Sequence, residues 1–158
     1  MKLTEIVVQP AVTPALKSTE RNGVLGEMVD SLVASGELSA DIRDEIVAKL
    51  LDREEKGSTG FGRGVAVPHA KHPAVNRLIA AVGLSERGVD FASLDKQPVF
   101  SIFLLLSPKD QPEEHLQAME VIFKNLSKEN FRRFLRQAGS VEEVIALLDE
   151  ADSQQLPG

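Results

Sequence analysis

Two of the three histidines in this chain, His69 and His72, fall inside one short stretch, GFGRGVAVPHAKHPAV, residues 60–75. An imidazole titrates near neutrality, so at neutral pH it can act as a nucleophile, a general base or a metal ligand. Pro68 fixes its own φ, has no backbone donor and keeps Val67 extended, so a strand is expected to finish there and His69 to emerge at a set angle. Strand ends that run into loops are where α/β folds place reactive groups. Gly60, Gly62 and Gly64 permit close backbone approach, and their amides, with Ser58 and Thr59, are candidates for an anion cradle. Arg53 and Arg63 supply counter-charge. Taken alone, this pattern fits equally a surface imidazole beside a flexible glycine turn.

His115 is the third imidazole. His115, Met119, Ile122 and Leu126 fall at i, i+4, i+7 and i+11 of a helical segment, so the ring lies on the inward stripe near the helix start. Two readings stay open: a core histidine satisfied by a carbonyl, or a second imidazole facing His69 and donating to an anion near the positive helix end. His69, His72 and His115 together would give three nitrogen ligands, as a catalytic zinc requires. Pro73 forces His72 toward an extended conformation and no HExxH-type base accompanies them, so His72 is read as a surface residue.

The elements that carry these residues interleave helices with strands, which predicts one α/β domain. After an extended start at Ile6 to Val8, Ser18 or Thr19 caps a helix with apolar positions Val24, Leu25, Met28, Val29, Leu32 and Val33, stopped by Gly36. Ser39 opens a second helix with the stripe Ile42, Ile46, Val47, Leu50 and Leu51, closed by DREEK and Gly57; it delivers Arg53 and Glu54 to the glycine-rich stretch. Strands are expected at 64–67, 78–84 and 99–106. The last, in VFSIFLLL, is apolar on both faces and so central. SERGVDFASLDKQP reads as loop. Asp110 and Glu113 form a capping box for the His115 helix, with Pro112 in its first turn. Two short helices follow, one turning Phe131, Phe134, Leu135 and Ala138 inward, the other opened by Ser140 and Glu143. Residues 151–158 are expected to be a flexible tail.

With 158 residues and 42% hydrophobic content, the chain can build one real core. It has no cysteine, which excludes disulfides and thiolate metal sites. A net charge of −6 without Trp or Tyr argues against nucleic-acid binding. The start, MKLTEIVVQPAV, lacks a signal peptide's apolar core and no run is long enough for a membrane span, so a cytoplasmic location is expected.

REEKGSTGFGRGVAVPHAK, followed by PEEHLQAMEVI, resembles the enzyme IIA family of the bacterial phosphoenolpyruvate-dependent phosphotransferase system, in its fructose, mannitol and nitrogen-regulatory type. The likeness runs over residues 4–150. It implies a single compact α/β domain, a mixed sheet flanked by helices, and a transiently phosphorylated histidine. Carried over by position, His69 is the phospho-acceptor, using Nε2, and His115 steadies the phosphoryl group; Arg53, Thr59 and Ser58 support it. No cofactor or metal is implied. The implied partners are an HPr-like phosphocarrier as donor and an enzyme IIB, or a regulated target protein, as recipient. The chain carries no fused IIB, IIC or HPr segment, which fits a stand-alone regulatory module or a separate relay subunit. It departs from the family pattern at Ala70, where a glycine is common, at Arg63, and in the extra His72; all three fall on the expected docking rim.

Overall fold

VFSIFLLL lies at the centre of the sheet. In the computed structural model, which describes residues 1–153, it forms most of β6 (Val99–Pro108), and every side chain but Phe100 is buried. Its alternate residues pack into two separate cores. Phe103 and Leu105 face one, Ile102, Leu104 and Leu106 the other, as period-2 alternation requires.

Each core is closed by its own helices. α2 (Arg21–Ala34) and α3 (Arg43–Glu55), preceded by a 3₁₀ turn at Ala40–Ile42, cover one face through Val24, Leu25, Met28, Leu32, Ile46 and Leu50. α1 (Leu3–Ile6), α4 (Pro112–Leu126), α5 (Glu129–Gln137) and α6 (Val141–Asp152) cover the other. Burying each of these Leu, Ile or Phe side chains contributes about 1.5–3 kcal/mol. The remaining strands are β1 (Val7–Thr13), β2 (Gly60–Gly62), β3 (Val65–Ala66), β4 (His69–His72) and β5 (Ile79–Val89). β1 runs parallel to β5, β5 antiparallel to β6, β3 and β4 parallel to β6, and β2 antiparallel to β3. The result is a six-stranded sheet between helical layers, mixed and flanked by helices as the family resemblance implies.

Several local expectations are corrected. The chain does not leave the sheet at Pro68. Val65 and Ala66 pair with Ser101 and Ile102, and after the proline His69 to His72 pair with Leu105 to Pro108 in unchanged register. Pro68 forfeits one donor, but its carbonyl still accepts from Leu105 N–H at 2.9 Å. The glycines Gly60, Gly62 and Gly64 serve a tight β2–β3 hairpin, with Gly60 N–H on Ser58 Oγ at 2.9 Å. The stretch read as loop after Leu84 continues β5 to Val89, with a bulge near Gly88, whose φ is +88°.

Caps differ where partners are distant. The chain start is helical from Leu3 because the Asp152 carboxylate, at the end of α6, accepts Leu3 N–H at 2.6 Å and Thr4 N–H at 3.0 Å. Neither Ser18 nor Thr19 caps α2; its N-cap is Glu20, and the Glu27 carboxylate takes the amides of Lys17 and Ser18. Gln111, not Asp110, is the N-cap of α4, because Pro112 occupies the first helical position. Ser140 does cap α6, accepting from Glu143 N–H at 3.1 Å. Phe134 turns out to solvent, 39% exposed, while Phe131 and Leu135 fill the core. Helix α6 runs through Asp152, past the expected start of the tail; residues 154–158 lie outside the described part.

The hairpin generates a stability prediction. A Cβ on Gly60 would stand 2.2 Å from Ser93 Oγ and 3.2 Å from Phe91 Cβ. Gly60→Ala is expected to cost about 1–3 kcal/mol in urea unfolding, as overpacking does. Adding Ser93→Ala should recover part of that loss, since it removes the nearest atom and a buried hydroxyl that has no hydrogen-bond partner.

Candidate functional site

Parity along β4 decides which of its side chains can meet. His69 pairs with Leu105, which faces the α4 layer, so His69 and Lys71 point to that side. Ala70 and His72 point to the α3 side. There His72 is buried: its Nδ1 accepts Ala74 N–H at 3.0 Å and its Nε2 lies 2.8 Å from the Glu45 carboxylate. His72 is therefore a structural tie between β4 and α3, not a surface residue. It cannot join His69 and His115 around a zinc ion, because the sheet stands between them.

His115 comes to His69 from the first turn of α4. The ring centroids are 5.6 Å apart and the planes inclined by 56°. Two groups 46 positions apart in the chain thus share one niche at the C-terminal end of β6. That niche lies at the N-terminus of a 15-residue helix, where unpaired amides favour negative charge.

The tautomer of each ring follows from its partner. His69 Nδ1 lies 2.9 Å from Val67 O. A carbonyl only accepts, so Nδ1 carries the proton and Nε2 of the half-buried ring keeps its lone pair. His115 Nδ1 lies 2.6 Å from Ser107 Oγ, on a serine with no exposed surface. Among the described residues this is the only hydrogen bond of that hydroxyl, so both groups are satisfied when Ser107 donates to Nδ1. His115 Nε2 then carries the ring proton as a donor. Burial, first, then the positive potential of Lys71 and of His69, lower the His115 pKa from 6.5 to about 4. His115 is neutral at physiological pH.

The loop before the hairpin is held from below. Glu54, buried at the end of α3, accepts from Thr59 N–H at 3.1 Å and from the Thr59 hydroxyl. Thr59 O in turn accepts Val67 N–H at 3.1 Å, and Val67 O holds His69. Ser58 Oγ donates to Phe91 O. The hydroxyls of Ser58 and Thr59 are thus engaged in fixing this loop. Arg53 sits in the last turn of α3, its Nη1 donating to Gly57 O at 2.6 Å. Sequence reasoning missed Ser107 and Lys71; their strand parity with Leu105 and His69 was the available signal, and it needed the register. Glu54 lay in plain view beside Arg53.

Such a niche, one imidazole with a fixed nucleophilic nitrogen beside a second held neutral as a donor, defines an α/β domain built around a histidine pair. The chain matches the family model described as "Phosphoenolpyruvate-dependent sugar phosphotransferase system, EIIA 2" over residues 7–151, and it belongs to that family. The fructose-specific EIIABC component of Bacillus subtilis (strain 168) is 34% identical over 152 residues, which make up 96% of this chain and 24% of that protein. The nitrogen regulatory protein of Bradyrhizobium diazoefficiens is 32% identical over 148 residues, 94% of this chain and 95% of that one. The crystal structure of nitrogen regulatory protein IIA-Ntr from Neisseria meningitidis aligns with a TM-score of 0.82 at 30% identity, covering 91% of this chain and 97% of the other. No described helix is long and apolar enough to cross a membrane.

Two measurements test the electrostatics. A ¹⁵N or ¹³C NMR titration should place the His115 midpoint near pH 4. Because the folded pKa lies below the unfolded one, stability is full above about pH 6.5 and falls as pH drops toward 4, where the unfolded chain binds the extra proton. Ser107→Ala should divide the His115 proton between both ring nitrogens, visible as averaged ¹⁵N shifts.

Proposed function

We propose that this protein is a phosphoryl carrier, accepting phosphate on His69 Nε2 from a phosphohistidine of an HPr-like carrier and passing it on. The observation that carries the reading is the Nδ1 bond to Val67 O, which commits the proton to one nitrogen and leaves the other free beside His115. In the transfer, the Nε2 lone pair attacks the phosphorus in line. The P–N bond to the donor breaks and its electron pair returns to the donor imidazole, while the proton stays on His69 Nδ1, hydrogen-bonded to Val67 O. Phosphoryl transfer needs alignment and charge stabilisation more than covalent machinery.

His115 supplies a neutral Nε2–H donor to a phosphoryl oxygen, and the α4 N-terminus favours the dianion. Neutrality matters. An imidazolium there would hold the phosphate more tightly and slow its departure. Arg53 and Lys71 add positive potential at the rim, while Ser58 and Thr59 act by holding the loop that leads to Val67. Exposed Leu116, next to His115, and Phe61, braced edge-on against Phe123 at 4.7 Å, offer an apolar rim for docking proteins.

Two fates of the phosphate fit the family: onward transfer to an enzyme IIB during sugar uptake, or regulation of a target protein by phospho-state. Phosphorylation adds about −1.5 to −2 charge at the rim, enough to switch a docking surface. The nitrogen regulatory proteins of Bradyrhizobium diazoefficiens and Neisseria meningitidis, which this chain matches over nearly their whole length, favour regulation. The reading places the protein in the cytoplasm, where both kinds of partner would reach it.

Incubation with enzyme I, a phosphocarrier and phosphoenolpyruvate is expected to label the wild type with acid-labile phosphate and leave His69→Ala unlabelled. His115→Ala should slow labelling roughly a hundredfold to a thousandfold, the scale of losing one positioned donor. An unlabelled wild type, or full labelling of His69→Ala, refutes the site. Return of label to a sugar through IIB marks relay; a partner captured by only one phospho-state marks regulation.

A further inference from the structure

Four arginines converge on a cleft that the histidine chemistry does not use. Arg63 comes from the β2–β3 turn; Arg132, Arg133 and Arg136 come from α5. With Glu129 and Gln137 they line a hollow of about 460 Å³. Among the described residues none of the four arginines is ion-paired; the cations in ion pairs are Arg43, Lys56, His72 and Arg77. Four guanidinium groups against one carboxylate is an unusual concentration in a chain of net charge −6.

The cleft is built, not merely crowded. Arg132 Nη1 donates to Leu126 O at 2.8 Å. The Arg136 guanidinium lies 3.6 Å above the Phe100 ring, and Gly64 and Gly88 make room for that ring: a Cβ on either would approach it to 3.2 and 3.0 Å. Arg63 holds a left-handed φ of +59°, its N–H bound to the Asp95 carboxylate at 2.9 Å, so the turn presents its side chain in one direction. Fixed guanidinium groups lose little freedom on binding, and their mutual repulsion is relieved only by an anion.

We propose that this cleft binds a small, multiply phosphorylated anion through its di- or triphosphate chain. Guanidinium forks match phosphate oxygens two at a time, and the hollow lies within the usual size range for small ligands. Phe100 already carries Arg136 on its face, and the residues that line the cleft include no aromatic ring on which a base could stack. The phosphate chain is the part recognised. Phe100 and the His69 partner Leu105 are separated by roughly 16 Å along β6, which keeps this ligand away from the histidine pair. The proposal stands or falls independently of phosphoryl transfer at His69.

The test is titration of the full chain with inorganic tripolyphosphate, followed by calorimetry and amide NMR. Saturable binding is expected, weakening as salt rises, with shifts at residues 62–64 and 129–137 and none at 69–72. Arg133→Gln with Arg136→Gln, both exposed positions, should weaken binding at least tenfold while the amide spectrum of the free protein keeps its folded dispersion; Arg21→Gln should not. No saturable binding at millimolar tripolyphosphate in low salt overturns the proposal. So do shifts centred on His69, wild-type affinity in the double variant, or equal affinity for a hexaglutamate peptide.

Discussion

A carbonyl oxygen cannot donate, and the site's chemistry depends on the one that Val67 turns toward His69. That contact fixes the tautomer without a carboxylate, so the ring gains direction without added basicity. A carboxylate partner would favour the protonated ring and remove the lone pair at neutral pH. Here the oxygen is itself fixed from beneath, through Val67 N–H on Thr59 O and Thr59 on the buried Glu54. The end of α3, the hairpin loop and the strand therefore act as one support for a single nitrogen.

The second imidazole is prepared in the opposite manner. His69 is half-buried and reachable, whereas His115 is pressed into the α4 layer, where desolvation and neighbouring positive charge keep it neutral. Ser107, from the central strand, then decides which of its nitrogens holds the proton. One ring is left with a lone pair and the other with a proton, and the same niche supplies both. The two roles are separated by environment alone, since the side chains are identical.

The sequence disclosed these parts unevenly. The apolar run of β6, the helical stripes of α2, α3 and α4, and the inward position of His115 were legible because period and burial are local properties. The pairing of His115 with His69 was one of two readings that the helical stripe left open, the family resemblance chose it, and only the packing of α4 on the sheet gives its distance. What stayed hidden depended on register or on remote partners. Pro68 looked like a strand end because the loss of one donor is visible in sequence, while β6 restoring the pairing beyond it is not. His72 was misplaced for the same reason: a histidine beside a proline looks exposed until Glu45 of α3 is found against it. Asp152 initiating α1 from the far end of the chain leaves no trace in local composition.

Strand β4 has two clients. Its odd positions face the histidine niche and its even positions face α3, and the sheet insulates one from the other. A substitution at Ala70 or His72 is felt by α3 before it can disturb the His69 ring, and one at Lys71 changes the potential around that ring without loosening the scaffold. Four consecutive residues can therefore drift under separate pressures, adjusting how firmly the domain holds together and how strongly the histidine niche is charged.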